Sequence, residues 1–226
     1  MEIGETKIIR NKPLFATNME DLEQIQKVFN KFGVRLIVVY GALLGWYRDK
    51  KFLPEDDDID LAVIDPIDLK TRKAIGWILY DLGFEPQEIT FNVFGRMEPA
   101  EIGYNGDDKT GIIVCKKRTN FTIFFFYKEY CKTHKEEEYV CIPKLGALKL
   151  ISTPARFFNK TDTIKIGKEK YLTPSPIEGY LEYSYEDWKD PLMRDHSPTY
   201  NQSHPKYQEY IKDILKQNEA TIFRNK

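Results

Sequence analysis

The chain is poor in cysteine and histidine and has no long apolar run, and each shortage removes a class of function. Its three cysteines, Cys115, Cys131 and Cys141, are odd in number and form no CxxC pair, which argues against a disulfide framework or a zinc knuckle. Buried free thiols are their expected role. Cys131 and His134 lie three apart with Cys141 nearby, an incomplete metal site on sequence grounds. The three histidines gather around no nucleophile, so Ser-His-Asp and Cys-His catalysis lack their parts. No stretch approaches the roughly 18 apolar residues of a membrane span, and the polar residues Met1 to Lys12 hold no signal-peptide apolar region. A cytoplasmic location is the expectation. Charge of one sign is also missing: the formal net charge is -1, so a general polyanion binder is not expected and no nucleic-acid partner is implied. The local basic group Lys116-Lys117-Arg118 reads as a solvated loop.

What is present is enough for an enzyme. The 226 residues, 42% hydrophobic, can bury a substantial core as one compact unit. Thr17-Asn18-Met19-Glu20 resembles a capping box, and Met19, Leu22, Ile25, Val28, Phe29 and Phe32 follow at helical spacing until Gly33. Val34 to Tyr40 is β-branched and short, a buried strand closed by Gly41. Asp65-Pro66 is expected to cap a second helix, with Ile67, Ala74, Ile75, Ile78, Leu79 and Leu82 on its apolar side and Gly83 at its end. Further strands are predicted over Phe91–Phe94, Gly111–Cys115 and Phe121–Tyr127. Alternating strands and helices give an α/β (α+β) class, a mixed sheet with helices largely on one face. Residues 1–150 form the expected catalytic core. Residues 151–226 are proline- and tyrosine-rich, which predicts a C-terminal lobe of loops and short helices packed on that core, with a last helix over Tyr207–Asn218.

The chemistry concentrates between Gly41 and Asp60. Asp58-Ile59-Asp60-Leu61-Ala62-Val63-Ile64 alternates, and strand side chains alternate faces. Ile59, Leu61 and Val63 can therefore enter a core while Asp58 and Asp60 project together on the other side. Asp56 joins them only if the strand begins early. Two adjacent carboxylates repel unless a cation lies between them, and oxygen-only donors suit Mg²⁺ or Mn²⁺. Upstream, Gly41-Ala42-Leu43-Leu44-Gly45-Trp46-Tyr47-Arg48 reads as a turn opening a short helix, whose small residues leave backbone N–H groups approachable by a phosphate. Arg48 offers a planar fork for the same anion.

Together these residues resemble a known family. G-[TSA]-L-L-G-x-x-R followed by P-x-D-x-D-[IV]-D is the pattern of the LicD/fukutin group, within the nucleotidyltransferase superfold, and Gly41, Ala42, Leu43, Leu44, Gly45, Arg48, Pro54, Asp56, Asp58, Ile59 and Asp60 match it. Phe121 to Glu129 resembles the family's D-[IL]-F-[FP]-[FL]-Y strand, and Pro176 to Trp188 is similar to its closing motif. The sequence departs from the pattern at Glu55, usually tryptophan, at Glu186, usually glycine, and at Thr122, usually aspartate. The resemblance implies a nucleotidyltransferase-like fold and a metal-dependent phosphotransferase. Its donor would be a CDP-activated alcohol, choline or ribitol, and its acceptor a glycan or glycolipid hydroxyl. It also implies Asp58 and Asp60 as catalytic metal ligands, with Asp56 beside them, and Gly41, Ala42, Leu44, Gly45 and Arg48 as the substrate-binding set. An acceptor carried on a membrane would place the protein at that surface. Thr122 puts two-metal chemistry in doubt and favours one metal. Two alternatives stand beside this reading: transfer of a nucleoside monophosphate from a nucleoside triphosphate, and a degenerate homologue that binds nucleotide or glycan without turnover.

Overall fold

The computed structural model describes residues 17–54, 56, 58–64, 67–91, 97–100, 112–117, 119–132, 134–141, 151–185 and 187–190. In chain order the elements are α1 (Thr17–Lys31), β1 (Leu36–Val38), α2 (Tyr40–Asp49), β2 (Asp58–Val63), α3 (Leu69–Asp81), β3 (Glu85–Phe91), β4 (Met97–Ala100), β5 (Ile112–Lys116) and β6 (Asn120–Phe125). There follow β7 (Tyr127–Cys131), β8 (Glu136–Cys141), β9 (Ile151–Pro154), a 3-10 turn over Ala155–Phe157, β10 (Thr161–Ile166), β11 (Glu169–Pro174) and α4 (Ile177–Ser184). Eight strands make one mixed sheet in the order β10-β11-β1-β2-β6-β5-β3-β4, and β7-β8-β9 make a smaller one. Among the described residues two neighbouring pairs in the large sheet are parallel, β1 with β11 and β2 with β6. The class is α/β, a mixed sheet flanked by helices.

The centre of the sheet is buried on both sides because its strands carry apolar residues on both. On one side Ile59 and Leu61 of β2 line up with Phe121 and Ile123 of β6, all fully buried. Arg72 of α3 lies over the ring of Phe125 on that side, and α1 packs on α3. On the other side Ala62 pairs with Phe124, whose ring meets Tyr40 of α2. Tyr40 in turn contacts the fully buried Tyr180 of α4. Helices therefore cover both faces, rather than largely one. Each fully buried aliphatic or aromatic side chain contributes about 1.5–3 kcal/mol.

Several boundaries differ from the sequence reading for local reasons. The second long helix starts at Leu69, not at Asp65-Pro66, because the Asp68 carboxylate accepts the Thr71 N–H at 2.7 Å and caps it. Among the described residues after 150, strands stand beside the expected short helices: β10 and β11 form a hairpin, and Leu172 of β11 pairs with Ile37 of β1, so the main sheet extends past residue 150. The prolines that suggested loops, Pro154 and Pro174, sit at strand ends, where a missing N–H is tolerated. Glu55, Asp65, Pro66, Arg118, Glu186, residues 92–94 of the expected third strand and the helix expected over 207–218 lie outside the described residues. Among the described residues no helix is long and apolar enough to cross a membrane.

Helix α2 runs outward from the sheet and the chain then returns alongside it. Lys50 ends the helix in the left-handed region at φ 56°, with its N–H bonded to Gly45 O. The returning backbone passes so close that a Cβ on Gly45 would lie 2.8 Å from Lys51 O and 2.9 Å from Leu53 N. Both are main-chain atoms, so the loop cannot yield without moving. Gly45→Ala is expected to lower stability by about 1–3 kcal/mol, read as a drop in the denaturant midpoint with an unchanged slope.

Candidate active site

Asp58 and Asp60 stand on one face of β2, as the alternation requires, and both are partly exposed. Asp56 reaches them by another route. Strand β2 begins only at Asp58, and Asp56 sits in a turn closed by its N–H to Leu53 O at 3.2 Å. That turn completes the return of the chain from the far end of α2 to its beginning. There Gly41 makes room: a Cβ at this position would lie 2.2 Å from Asp56 Oδ2 and 3.9 Å from Asp60 Oδ2. Ligand oxygens of Asp56, Asp58 and Asp60 all fall within 4.8 Å of one another. Glycine at 41 is thus a steric condition for the third carboxylate.

The first turn of α2 borders this cluster. Val39 N–H still bonds to Asp60 O, at 3.2 Å, and Leu43 N–H donates back to Val39 O as the first helical bond. Tyr40 makes the change of direction in between, with φ 47°, an unusual value for an aromatic residue. The N–H groups of Gly41 and Ala42 therefore belong to the first turn, where helix N–H groups lack intrahelical partners and the dipole favours anions. Gly41, Ala42, Leu44 and Gly45 are all buried; Leu44 and Gly45 lie further along the helix, and Gly45 borders the close return of the loop.

Strand β6 brings the residue that replaces the family aspartate. It runs parallel to β2 with Asp60 opposite Thr122 and Asp58 opposite Asn120, and the Thr122 hydroxyl donates to Asp58 Oδ2. Threonine here holds one carboxylate in place rather than adding another charge. Behind the cluster lies a layer of buried phenols. Burial pushes the Tyr185 hydroxyl's pKa far up, and the charges of Asp60 and Asp56 add to the effect. Tyr40 and Tyr180 are likewise raised, by burial first. All three stay protonated at neutral pH. No local pattern in the sequence ties Tyr185 to the aspartates; its closeness to them comes from the position of α4.

Arg48 is placed differently from the aspartates. Its Nε and NH2 groups bond Asp49 Oδ1 and Oδ2, both at 2.9 Å, and NH1 bonds the carbonyls of Trp188 and Asp190 at 3.1 and 2.9 Å. Four of the five N–H donors of a guanidinium are engaged inside the protein. The side chain ties the segment after α4 to α2, and Tyr47 adds a bond to Glu178 at 3.1 Å. The signal was in the sequence, since Asp49 is the adjacent residue.

The Arg48–Asp49 pair has a pH signature. Hydrogen bonds from Arg48 hold the Asp49 carboxyl below its usual range, with burial opposing them. A carboxyl lowered in the folded state stabilises above the unfolded pKa of about 4 and loses that contribution as pH falls through the folded value. Arg48→Met is expected to lower stability at pH 7 by about 2 kcal/mol. Asp49→Asn should follow in the same direction, its gap from the unmodified chain narrowing as the pH falls below about 4. Thermal melts between pH 2.5 and 7 measure both effects, and equal melting temperatures at pH 7 would refute the clamp.

The sequence is similar to known proteins. Ribitol-5-phosphate transferase FKTN of Macaca fascicularis is 29% identical over 117 residues, which are 51% of this chain and 22% of that protein, so the chain spans about a fifth of that relative. A solved structure, the solution structure of the antibiotic-resistance factor ANT(2'')-Ia, aligns with 92% of this chain and 96% of its own at 13% identity and a TM-score of 0.43. The profile described as LicD/FKTN/FKRP, nucleotidyltransferase domain, matches residues 33–174, a stretch that runs through β11 and holds all three aspartates. With more than half of its length matched in this way, the chain belongs to the LicD/FKTN/FKRP family of nucleotidyltransferase domains.

Proposed function

We propose that this domain is a metal-dependent phosphotransferase that moves a phospho-alcohol, of the phosphocholine or ribitol-phosphate type, from a CDP-activated donor to a glycan or glycolipid hydroxyl. The observation that carries the reading is the convergence of Asp56, Asp58 and Asp60 on the first turn of α2, with Gly41 kept bare so that the third carboxylate fits. Three oxygen donors that share one small volume match Mg²⁺ or Mn²⁺, which take carboxylates and complete their shell with water and phosphate oxygens. Thr122 in the neighbouring register favours a single ion. When bound, such an ion neutralises charge on the diphosphate and on the leaving nucleotide.

The protein's own groups divide the remaining work. Asp58 and Asp60 hold the cation, Asp58 steadied by the Thr122 hydroxyl, and Asp56 closes the third side. The N–H groups of Gly41 and Ala42, at the positive end of α2, receive donor phosphate oxygens. Arg48 positions the segment that follows α4 and offers its remaining N–H toward the donor. One of the aspartates takes the proton of the attacking hydroxyl. The neutral phenols behind them keep water out, which strengthens every charge interaction in front. The similarity to a ribitol-5-phosphate transferase, FKTN, supports the choice of transferred group.

Asp58→Asn and Asp60→Asn keep side-chain volume and remove charge. Each is expected to reduce turnover of CDP-ribitol or CDP-choline by about 100-fold or more, an effect of the size seen when one electrostatic transition-state contact is lost, and to weaken Mn²⁺ binding measured by electron paramagnetic resonance. Circular dichroism should be unchanged. Acceptor mass identifies the transferred group, since a phospho-alcohol and a nucleotide differ plainly. Wild-type turnover by the double variant would remove the reading.

Thr122→Asp provides a second test. The new carboxylate would meet that of Asp58 directly, so the variant should melt lower than the parent without metal, and saturating Mg²⁺ should recover most of that loss. A loss of stability that Mg²⁺ leaves untouched would show that position 122 does not share the cation.

A further inference from the structure

The hairpin of β7 and β8 gathers a second set of metal-ligating side chains, distinct in chemistry from the aspartates. Cys131 ends β7, His134 lies in the turn, and Glu138 sits on β8, on the same face as Cys131 because Cys131 pairs with Glu136. Ligand atoms of the three fall within 4.8 Å of one another. Cys131 and Glu138 are each 2% exposed, whereas the His134 side chain is 39% exposed. The His134 ring meets Glu138 Oε1 at 2.5 Å through Nδ1, and its backbone N–H donates to Cys131 Sγ at 3.5 Å.

A thiol, an imidazole and a carboxylate in one place have a shared use. Burying a carboxylate is costly unless it is paired or coordinates a metal. One thiolate, one neutral imidazole and one carboxylate balance a divalent ion completely. Sulfur, nitrogen and oxygen donors together match Zn²⁺, which takes Cys at about 2.3 Å and His or Glu at about 2.0–2.2 Å. Tetrahedral ligands at such lengths lie about 3.3–3.8 Å apart, so His134 Nδ1 and Glu138 Oε1, in direct contact at 2.5 Å, would separate by roughly 1 Å to admit the ion. His134, on an exposed turn, is the member placed to move.

The geometry points to a Zn²⁺ site formed by Cys131, His134 and Glu138, with three protein ligands and a fourth position for water or an external donor. Its place is structural: it fastens the turn of the β7–β8 hairpin, whose buried face also holds Glu138 beside Tyr183 of α4. The aspartate cluster, all oxygen, is left to the harder ions, so the two sites sort metals by donor type.

Cobalt(II) titration of the full chain in excess Mg²⁺ tests the assignment, since only a thiolate ligand gives Co²⁺ a near-ultraviolet charge-transfer absorption and a tetrahedral site gives it intense visible bands. Both features are expected at one equivalent, and one equivalent of Zn²⁺ should abolish them. Cys131→Ser should remove the charge-transfer absorption. His134→Ala should raise the Co²⁺ dissociation constant about tenfold or more. Absence of the charge-transfer absorption in the parent chain, its persistence in Cys131→Ser, or unchanged affinity in His134→Ala would each overturn the proposal, whatever the outcome at the aspartates.

Discussion

Mutual repulsion among three carboxylates is the constraint around which the rest of this domain is arranged. Asp56, Asp58 and Asp60 present oxygens within 4.8 Å of one another, and nothing in their own chemistry would keep them there. Each is held by a different device. Asp60 is fixed by strand geometry at the centre of the sheet, Asp58 by that geometry and by the Thr122 hydroxyl, and Asp56 by a turn that sets its carboxylate against the bare Cα of Gly41. The positive end of α2 faces all of them.

The apolar architecture supplies the stiffness those devices need. Ile59, Leu61, Phe121 and Ile123 are fully buried behind the aspartate strand, so β2 cannot shift its register by one residue without turning its charged face into the core. On the carboxylate side the phenols of Tyr40, Tyr180 and Tyr185 fill the space with groups that remain neutral. A domain of this kind concentrates negative charge at one rim while keeping that rim dry from behind.

The features that were readable from sequence are those encoded over a few residues. The alternation around Ile59 placed Asp58 and Asp60 on one face, because strand periodicity is local. Thr122 was marked by its departure from the family pattern, and the pairing of β6 with β2 puts it against Asp58. Asp56 required knowledge of a loop that goes out along α2 and comes back, and no periodic signal records a return path. Arg48 was read by its type, as an anion fork, while its actual partners combine the adjacent Asp49 with two carbonyls about 140 residues further on. The strands after residue 150 were hidden by prolines that mark ends of strands rather than gaps between them. Cys131 and His134 looked like a fragment of a metal site because Glu138 joins them only once the hairpin has formed.

The parallel pairing of β1 with β11 has a consequence for how the chain reaches its native state. During synthesis β1 emerges early, yet the strand that covers its outer edge is among the last of the sheet to be made. Until then the growing polypeptide carries an uncovered, wholly apolar strand, the kind of edge that invites association with other chains. Closing that edge sets a minimum length for self-sufficient folding: any fragment ending before Leu172 leaves β1 without its neighbour and should depend on chaperones to remain dispersed.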